Sequence, residues 1–351
     1  MHKDFMLAAL EQAWLGRGLC APNPSVGAVA VRSGKIIARA WHQGAGKAHA
    51  EQLLLQQIPK GLDDISLYVT LEPCNHWGKT PPCASAIIEH GISKVIFGFC
   101  DPNPIVAAND TPKILEQAGI EVLHFPLQEI DSFYQSYRYW IMTKKPWITV
   151  KLAQTFDGKI AGEQGAPCHL SNAACKTFTH LNRKHTDLIL TTAKTIAADN
   201  PMLNVRLQDE EFGKPLAILD RRLLLSPEAR ALKNARHCHI FHDEGHSAEE
   251  SLPNCSYHGI PSINNRLDLE AIIKHIGAMG YHDVWVEAGG ELFSALHQRN
   301  LVQRTFLYLV PEILGEKTTP AFHGNALFAR NKTVSWQIKE DNAIACLDWE
   351  V

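Results

Sequence analysis

The sequence predicts an α/β protein of two domains. Its 351 residues exceed the roughly 100–200 residues of a typical domain, and strand-like and helix-like segments alternate along both halves. Such alternation is typical of layered α/β sheets. The pattern restarts after Lys144-Lys145-Pro146, where proline favours an extended residue before it. We therefore place the domains at residues 1–145 and 146–351.

In the first domain, apolar residues at helical spacing predict a helix over 5–15. Two strand-like runs, 26–31 and 36–41, are joined by Ser33-Gly34 and predict a hairpin. The elements predicted after it are a helix at 48–58, a strand at 65–71, a helix at 84–90, a strand at 95–99, a helix at 114–118 and a strand at 120–123.

The second domain begins with another apolar strand, and the polar stretch 225–265 gives no clear order of elements. Strands are predicted at 147–153, 187–192, 215–220, 237–241, 283–287 and 305–310. Helices are predicted near 171–183, 267–279 and 290–298.

Charge and cysteine content narrow the functional class. A net charge of −3 does not favour nucleic-acid binding. No run reaches the roughly 18 apolar residues of a membrane helix, and the first residues lack a signal-peptide cleavage pattern. Nine cysteines, few and odd in number, argue against a disulfide scaffold. We expect a cytoplasmic protein with no nucleic-acid or membrane partner, and we expect it to form a homo-oligomer.

The strongest chemical signal is a set of metal-ligand residue types. His49 lies where a loop enters a helix, Cys74 follows an apolar strand, and Cys83 begins the next helix. A helix start favours a thiolate. One imidazole and two thiolates suit zinc, and three protein ligands leave the fourth tetrahedral position for water, as in catalytic sites. We predict one Zn²⁺ per chain.

Glu51 follows His49 by two residues, so it lies beside the metal without binding it. It would shuttle the proton between water and a leaving amine, the zinc-deaminase pattern of H-x-E with P-C-x-x-C. The sequence departs from that pattern, because Cys83 follows Cys74 by nine residues rather than three. The alternative for this site is a closed structural zinc with His76 as a fourth ligand.

Three segments of the first domain resemble the bifunctional deaminase/reductase family of bacterial riboflavin biosynthesis. They are Ala21-Pro22-Asn23-Pro24-x-Val26-Gly27, His49-Ala50-Glu51, and the run from Thr70 to Cys83; Asp101-Pro102-Asn103-Pro104-x-Val106 also resembles it. The resemblance implies a cytidine-deaminase-like three-layer αβα fold. It also implies hydrolytic deamination of 2,5-diamino-6-ribosylamino-4(3H)-pyrimidinone 5′-phosphate. The positions that match the substrate contacts of the family are Asn23, His42, His76, Lys79 and Asn103.

In the second domain, residues 284–290 form an apolar strand followed by two glycines and then a helix. Glycines let backbone N–H groups approach a phosphate, and a helix start favours an anion. This pattern alone is weak evidence for a phosphate site, because two glycines between a strand and a helix often form only a turn. No G-x-G-x-x-G occurs, so a Rossmann fold is not predicted.

The segments from Lys151 to Ala161, from Asp199 to Arg206 and from Glu287 to Gly290 resemble the reductase half of the same family. The resemblance implies a dihydrofolate-reductase-like α/β fold and NADPH reduction of the ribosyl group to a ribityl chain. The matching cofactor positions are Ala153, Thr195, Asp199, Gly289, Gly290, Glu291, Leu292, Phe293, Ser294 and Ala295. The matching substrate positions are Lys151, Arg183, Leu203, Arg206 and Glu287, and the forks of the two arginines suit a phosphate.

The chain departs from the family pattern in three places. Ala28 stands where cysteine is usual, and residues 107–110 replace a Gly-rich stretch. Residues 165–171 lack the serine and tryptophan of a Gly-Asp-Ser-x-Trp-Ile-Thr-Ser-like segment. The last departure lies where reductase contacts are expected. It leaves open a deaminase whose second domain is catalytically weak or serves only for docking. A zinc module without activity and a nucleic-acid deaminase are further alternatives.

Overall fold

The computed structural model describes residues 1–77, 81–108, 110–248, 252–324 and 327–350. The chain divides into two compact units, Met1–Lys144 and Lys145–Val351. Among the helices of these described residues, none combines the length and the apolar character needed to cross a membrane.

The first unit is built on a five-stranded sheet in the order β2-β1-β3-β4-β5. Strands β3, β4 and β5 are parallel, whereas β1 runs antiparallel to β2 and β3. The carboxyl ends of β3 and β4 therefore open at the same edge. The strands are β1 (Gly27–Arg32), β2 (Lys35–Trp41), β3 (Ser66–Leu71), β4 (Lys94–Phe99) and β5 (Glu121–His124).

Helices cover both faces of this sheet and complete the predicted three layers. They are α1 (His2–Gly16), α2 (Ala50–Leu55), α3 (Cys83–His90), α4 (Pro104–Ala107), α5 (Thr111–Gln117) and α6 (Gln128–Thr143). On one face, Met6 of α1 and Tyr134 of α6 pack into one core. On the other face, Leu54 of α2, Ile87 of α3 and Leu115 of α5 form a second core. The predicted three-layer αβα architecture is thus confirmed.

The second unit is built on a nine-stranded sheet in the order β13-β12-β11-β8-β16-β6-β17-β20-β19. Its strands from β13 to β17 are parallel, and β20 and β19 continue it antiparallel. The strands are β6 (Trp147–Thr155), β7 (Lys159–Glu163), β8 (Leu188–Thr192), β9 (Val205–Leu207), β10 (Glu210–Phe212), β11 (Pro215–Leu219), β12 (His237–Asp243), β13 (Cys255–Ile260), β14 (Ser262–Ile263), β15 (Arg266–Leu267), β16 (Asp283–Glu287), β17 (Arg304–Val310), β18 (Thr318–Pro320), β19 (Lys332–Lys339) and β20 (Asn342–Trp349).

Helices pack on both faces of the large sheet as well. They are α7 (Ala173–His185), α8 (Ala193–Asp199), α9 (Arg230–Asn234), α10 (Leu269–Ala278) and α11 (Gly290–Gln298). Ile272 of α10 and Phe293 of α11 belong to the core on one face. Cys175 of α7 and Ala231 of α9 belong to the core on the other. The two-domain α/β architecture predicted from the sequence is confirmed.

The structure adds elements that the sequence did not predict. Helix α6 has a half-polar sequence, yet Ile130, Phe133, Tyr134 and Tyr137 recur at helical spacing and are buried. The stretch 225–265 contains the predicted strand as β12, and it also contains α9, β13 and β14, which the sequence did not predict. Hairpin β19–β20 was also missed, although apolar and polar residues alternate strictly from Thr333 to Lys339, the usual pattern of a strand.

Candidate active sites

The three predicted metal ligands come together in the first unit. His49 is the N-cap residue of α2, and Cys83 is the first residue of α3. Cys74 lies three residues beyond the end of β3. Their ligand atoms all lie within 4.8 Å of one another. Parallel strands and the helices after them bring these loop residues to one edge of the sheet.

Direct contacts hold this cluster together. His49 Nδ1 lies 3.2 Å from Cys83 Sγ and 3.5 Å from Cys74 Sγ. The backbone N–H of Cys83 donates to Cys74 Sγ at 3.5 Å. One imidazole nitrogen and two sulfurs are a donor set that zinc prefers, so the residues present fit this metal.

The electrostatics of the cluster favour one thiolate. A hydrogen bond from the Cys83 thiol lowers the pKa of Cys74, and the same bond raises the pKa of Cys83. The hydrogen bond with Cys74 also raises the pKa of His49. Negative charge is therefore concentrated on the Cys74 sulfur, which suits the binding of a cation.

Glu51 sits in the first turn of α2 and is 4% exposed. Burial raises the pKa of its carboxyl, and the neighbouring His49 opposes that shift. Within the described residues, its carboxylate is outside the cluster of atoms that lie within 4.8 Å of one another. A carboxylate that lies beside a set of metal ligands without belonging to it is suited to proton transfer.

His42 and Asn23 form a second group next to the cluster. Burial lowers the pKa of His42, which favours its neutral form. His42 Nδ1 lies 3.0 Å from the carbonyl oxygen of Ala48, and Nε2 lies 3.2 Å from Asn23 Nδ2. Because the carbonyl can only accept, Nδ1 donates and Nε2 accepts from the amide. The His42 and His49 rings meet edge to face at 5.5 Å.

The remaining predicted substrate residues follow β3 and β4. The Asp101 carboxylate accepts hydrogen bonds from the Asn103 backbone N–H at 2.9 Å and from the Tyr137 hydroxyl at 3.0 Å. His76 Nδ1 is buried and lacks a hydrogen-bond partner within the described residues. Lys79 lies outside the described residues. Sequence reasoning missed Tyr137, which the helical spacing of α6 would have identified.

The second unit contains a cavity of about 890 Å³. Most predicted reductase residues line it, and they come from β6, α7, α8, the end of β16 and α11. The lining positions are Lys151, Ala153, Arg183, Thr195, Asp199, Leu203, Arg206, Glu287, Gly289, Gly290, Glu291, Leu292 and Ala295.

Two predicted cofactor residues are placed elsewhere. Phe293 is 1% exposed and packs in the hydrophobic core. The Ser294 hydroxyl is buried and accepts a hydrogen bond from the His323 backbone N–H at 2.9 Å. Both lie on the side of α11 that faces the protein, because successive helical residues point in different directions. Within the predicted cofactor segment 289–295, Phe293 and Ser294 therefore do not line the cavity.

A buried ion pair organises one side of the cavity. Arg183 Nε and Nη2 donate to the two carboxylate oxygens of Glu287 at 2.6 and 2.9 Å. Arg183 Nη1 donates to the Asn204 carbonyl at 2.9 Å, and Trp285 Nε1 donates to Glu287 at 2.7 Å. Although burial alone would raise the pKa of Glu287, Arg183 lowers it to about 2.

This pair corrects one expectation from the sequence. The fork of Arg183 holds Glu287 and is not free for a substrate phosphate. Arg206 differs, because it is exposed and its Nη1 donates to the Asn204 side chain at 2.9 Å. Lys151 lies with Nζ 5.0 Å from the centre of the Tyr308 ring. Burial lowers the pKa of Lys151.

The altered segment 165–171 also borders the cavity. Cys168, His169 and Ser171 are among its lining residues. Gly290 sits where a Cβ atom would lie 2.3 Å from the Ala321 carbonyl oxygen, so a side chain there would collide with backbone. The glycine is thus required by the close approach of two chain segments.

Comparison with known proteins places both units in recognised families. The family described as the cytidine and deoxycytidylate deaminase zinc-binding region matches residues 1–99. The family described as the RibD C-terminal domain matches residues 146–344. Because both halves match, a protein with only the first activity is not favoured.

Curated relatives extend the match over most of the chain. The riboflavin biosynthesis protein RibD of Actinobacillus pleuropneumoniae is 34% identical over 90% of this chain and 85% of its own length. The RibD protein of Escherichia coli is 32% identical over 89% of this chain and 88% of its own length.

Comparison with solved structures gives the same result as comparison with the curated relatives. Acinetobacter baumannii RibD matches with a TM-score of 0.86 and 27% identity, covering 100% of this chain and 99% of its own. A Thermotoga maritima diaminohydroxyphosphoribosylaminopyrimidine deaminase/5-amino-6-(5-phosphoribosylamino)uracil reductase has a TM-score of 0.85 and 28% identity, with 99% of both chains covered. The chain therefore belongs to the RibD family, and it is a bifunctional enzyme of riboflavin biosynthesis with a deaminase half and a reductase half.

Proposed function

We propose that the first unit deaminates 2,5-diamino-6-ribosylamino-4(3H)-pyrimidinone 5′-phosphate by hydrolysis, with zinc held by His49, Cys74 and Cys83. The observation that carries this proposal is the cluster of one imidazole and two thiols, with the Glu51 carboxylate beside it but outside it. A structural zinc would need a fourth protein ligand, and the described residues place none within that cluster.

Glu51 moves the proton in this scheme. When bound, zinc supplies the acidification of a water molecule to near-neutral pKa. The Glu51 carboxylate accepts a proton from the attacking water and returns it to the leaving amino nitrogen. Its burial keeps bulk water from competing for that proton.

His42 and Asn23 orient the pyrimidine. Because His42 accepts from the Asn23 amide N–H, the Asn23 side-chain oxygen remains as the acceptor for a substrate amino group. The hydrogen bonds with Asn23 and with the Ala48 carbonyl fix the orientation of the His42 ring and its tautomer. Asn103, set by Asp101, His76 and Lys79 complete the proposed substrate contacts.

For the second unit, we propose reduction of the ribosyl group to a ribityl chain, with NADPH as the cofactor. The cavity has the size that a drug-sized ligand needs. Gly289 and Gly290 at the start of α11 give a phosphate access to backbone N–H groups, and Thr195 and Asp199 line the same cavity. When bound, NADPH supplies the hydride.

Four charged residues position the sugar and its phosphate. Arg183 holds the Glu287 carboxylate in one orientation, so Glu287 can accept from sugar hydroxyls. Lys151 donates to an oxygen of the substrate. Arg206 is exposed at the cavity and provides the planar donor set for the phosphate.

Product analysis tests both reactions together. Purified protein is incubated with the diaminopyrimidine phosphate, with and without NADPH, and the products are identified. Without NADPH we expect ammonia and the deaminated pyrimidinedione; with NADPH we expect the ribityl product. Metal analysis should give about one zinc per chain. Ammonia release without NADPH oxidation would support the deaminase-only alternative, and absence of zinc would refute the metal site.

We also propose that the protein works in the cytoplasm as a homo-oligomer. All nine cysteines, each of which the structure describes, are free thiols, as is typical of a reducing compartment.

A further inference from the structure

Lys151 lies on β6, in the middle of the large sheet. Its register partners are Glu287 on β16 and Phe306 on β17, and its side chain lines the cavity of the second unit. The ammonium group therefore lies where the substrate is proposed to bind. The groups that hold it there determine how well it donates to that substrate.

The carboxylate next to Lys151 is already occupied. Both oxygens of Glu287 accept hydrogen bonds from Arg183, at 2.6 and 2.9 Å, and Trp285 Nε1 donates to the same carboxylate at 2.7 Å. Among the described residues, the Lys151 ammonium has neither a hydrogen-bond acceptor nor an ion-pair partner. Its three N–H donors are thus all available to a ligand in the cavity.

The contact that Lys151 does make is with the face of an aromatic ring. Its Nζ lies 5.0 Å from the centre of the Tyr308 ring, within the roughly 6 Å over which a ring face attracts a cation. Tyr308 is 0% exposed. Because such contacts are stronger when they are desolvated, this ring is a substantial source of attraction for the ammonium.

The Tyr308 ring is itself fixed by α7. Thr179 Oγ1 donates to the Cys175 carbonyl at 3.0 Å, so the Tyr308 hydroxyl, 3.1 Å from that Oγ1, donates to Thr179. The rings of Phe178 and Tyr308 meet edge to face, with centroids 6.1 Å apart. These contacts fix the plane of the ring and use its hydroxyl, so the ring face is what Tyr308 presents to Lys151.

We propose that Tyr308 is a positioning residue for the reduction. Its ring face keeps the Lys151 ammonium protonated and directs it to the cavity, where the ammonium donates to an oxygen of the substrate. This proposal rests on the proposed contact between Lys151 and the substrate. It adds the residue that sets the charge and the place of that lysine.

The titratable groups that face Lys151 come from β16, β17 and α7. Burial lowers the pKa of Lys151, Glu287 raises it and Arg183 lowers it. Since Arg183 and Glu287 form an ion pair, their effects on Lys151 oppose each other. Burial raises the pKa of Cys175 and of Tyr308, so both of these groups are neutral. The Tyr308 ring is therefore an uncharged neighbour that still favours the cation.

The pH dependence of NADPH oxidation with the deaminated substrate tests this role. Tyr308→Leu removes the ring, whereas Tyr308→Phe keeps the ring face and removes only the hydroxyl. Loss of the ring should move the alkaline limb of kcat/KM down by about one pH unit, which corresponds to about 1.4 kcal/mol. Above that limb, kcat/KM of Tyr308→Leu should be about tenfold lower than that of the wild type. Tyr308→Phe should keep the wild-type limb.

A second measurement reports on the Lys151 amine directly and needs no turnover. Competitive acetylation with acetic anhydride over a pH series, followed by peptide mass spectrometry, gives the pKa of this amine. The pKa should be about one unit lower in Tyr308→Leu than in the wild type and in Tyr308→Phe. Tyr308→Met, whose flexible side chain fills the space of the ring, replaces Tyr308→Leu if circular dichroism shows that Tyr308→Leu does not fold.

Trp147→Leu is the matched control. It removes a ring at the start of the same strand, whose centre lies 5.9 Å from Arg304 Cζ, and Trp147 is outside the residues that line the cavity. Both the alkaline limb and the pKa of the Lys151 amine should stay as in the wild type.

Unchanged values in Tyr308→Leu would overturn the proposal. An equal shift in Tyr308→Phe would overturn it as well, because the hydroxyl rather than the ring face would then be the group that acts. A wild-type protein that does not oxidise NADPH would refute the proposed reduction. In that case the acetylation series would still decide whether the ring sets the charge of Lys151.

Discussion

In the first unit, three ligand atoms from two helix starts and one loop lie within 4.8 Å of one another. In the second unit, the predicted residues line a cavity of about 890 Å³ and come from positions as distant as Lys151 and Ala295. The first site depends on the chemistry of a few uncommon residue types, whereas the second depends on shape and on a buried ion pair. We therefore expect single substitutions to abolish chemistry in the first site and to change stability or binding in the second.

The largest effect is expected for Glu51→Gln. The amide cannot take and return a proton, and such transfer typically contributes about 10²–10⁴-fold to rate. Deamination should fall by that factor, while zinc content and NADPH oxidation with the deaminated substrate stay unchanged. Steady-state ammonia release and metal analysis provide the measurements.

Glu89→Gln is the matched control, because Glu89 is exposed on α3. It should deaminate as the wild type does. Loss of zinc from Glu51→Gln would show that Glu51 is a ligand, and our assignment of its role would then be wrong.

Arg183→Met should destabilise the second unit. It leaves the Glu287 carboxylate buried without its partner, and breaking such a pair costs about 3–5 kcal/mol. Denaturant unfolding, followed by a signal that reports on the second unit, should show this loss of stability. Reductase activity should be lost as well, while deamination persists.

The double variant Arg183→Met with Glu287→Gln removes both charges and should recover much of the lost stability. The exposed pair formed by Lys194 and Glu291 offers the comparison, because Lys194→Met should have little effect on unfolding. Equal effects of Arg183→Met and Lys194→Met would contradict the role of the buried pair.

Acid should weaken the second unit through a chain of imidazoles. His239 lies 3.1 Å from both His258 and Tyr281, and His258 lies 3.0 Å from His275. Burial, with neighbouring histidines, lowers the pKa of His239 and of His258 to about 4. The titratable neighbours of these two rings are His237, His242, His275 and Tyr281.

The sign follows from the lowered values. An unfolded histidine has a pKa of about 6.5, so the unfolded chain binds more protons as pH falls from about 6.5 towards 4. Stability is fully present above that window and is lost through it. We expect a loss on the order of 2 kcal/mol, reduced by partial exposure of His258. Denaturant unfolding at both pH values measures it. His258→Gln should weaken the pH dependence of stability. His246→Gln, which changes an exposed histidine, should not.

The smallest effect concerns the altered segment 165–171. Without the tryptophan and serine of the family pattern, stacking area and one hydrogen bond, worth roughly 0.5–1.5 kcal/mol, are lost. The reductase should therefore work with a raised apparent Michaelis constant compared with relatives that retain them. Steady-state NADPH oxidation with the deaminated substrate measures it.

His169→Trp should lower that constant, since His169 lines the cavity. Ala166→Trp adds the same ring to the same segment at a position outside the lining residues and should not. If saturating NADPH and millimolar substrate give no turnover, the second unit serves a docking role.

The sequence by itself determined the α/β class of both units, the metal-ligand types and the neighbouring Glu51. The physical reason is that strand and helix periodicity, helix starts and residue chemistry are local properties. His49, Cys74 and Cys83 could be identified because imidazole and thiol groups at element ends have few other uses.

Only the tertiary structure decided which groups meet across long separations. Arg183 holds Glu287 rather than standing free for a phosphate, and Phe293 faces the core rather than the cavity. Tyr137 of α6 donates a hydrogen bond to Asp101, which lies 36 residues earlier in the chain. Such pairings depend on the register of distant strands and on the rotation of each helix about its axis. Local periodicity does not determine either of these, because both are set by packing.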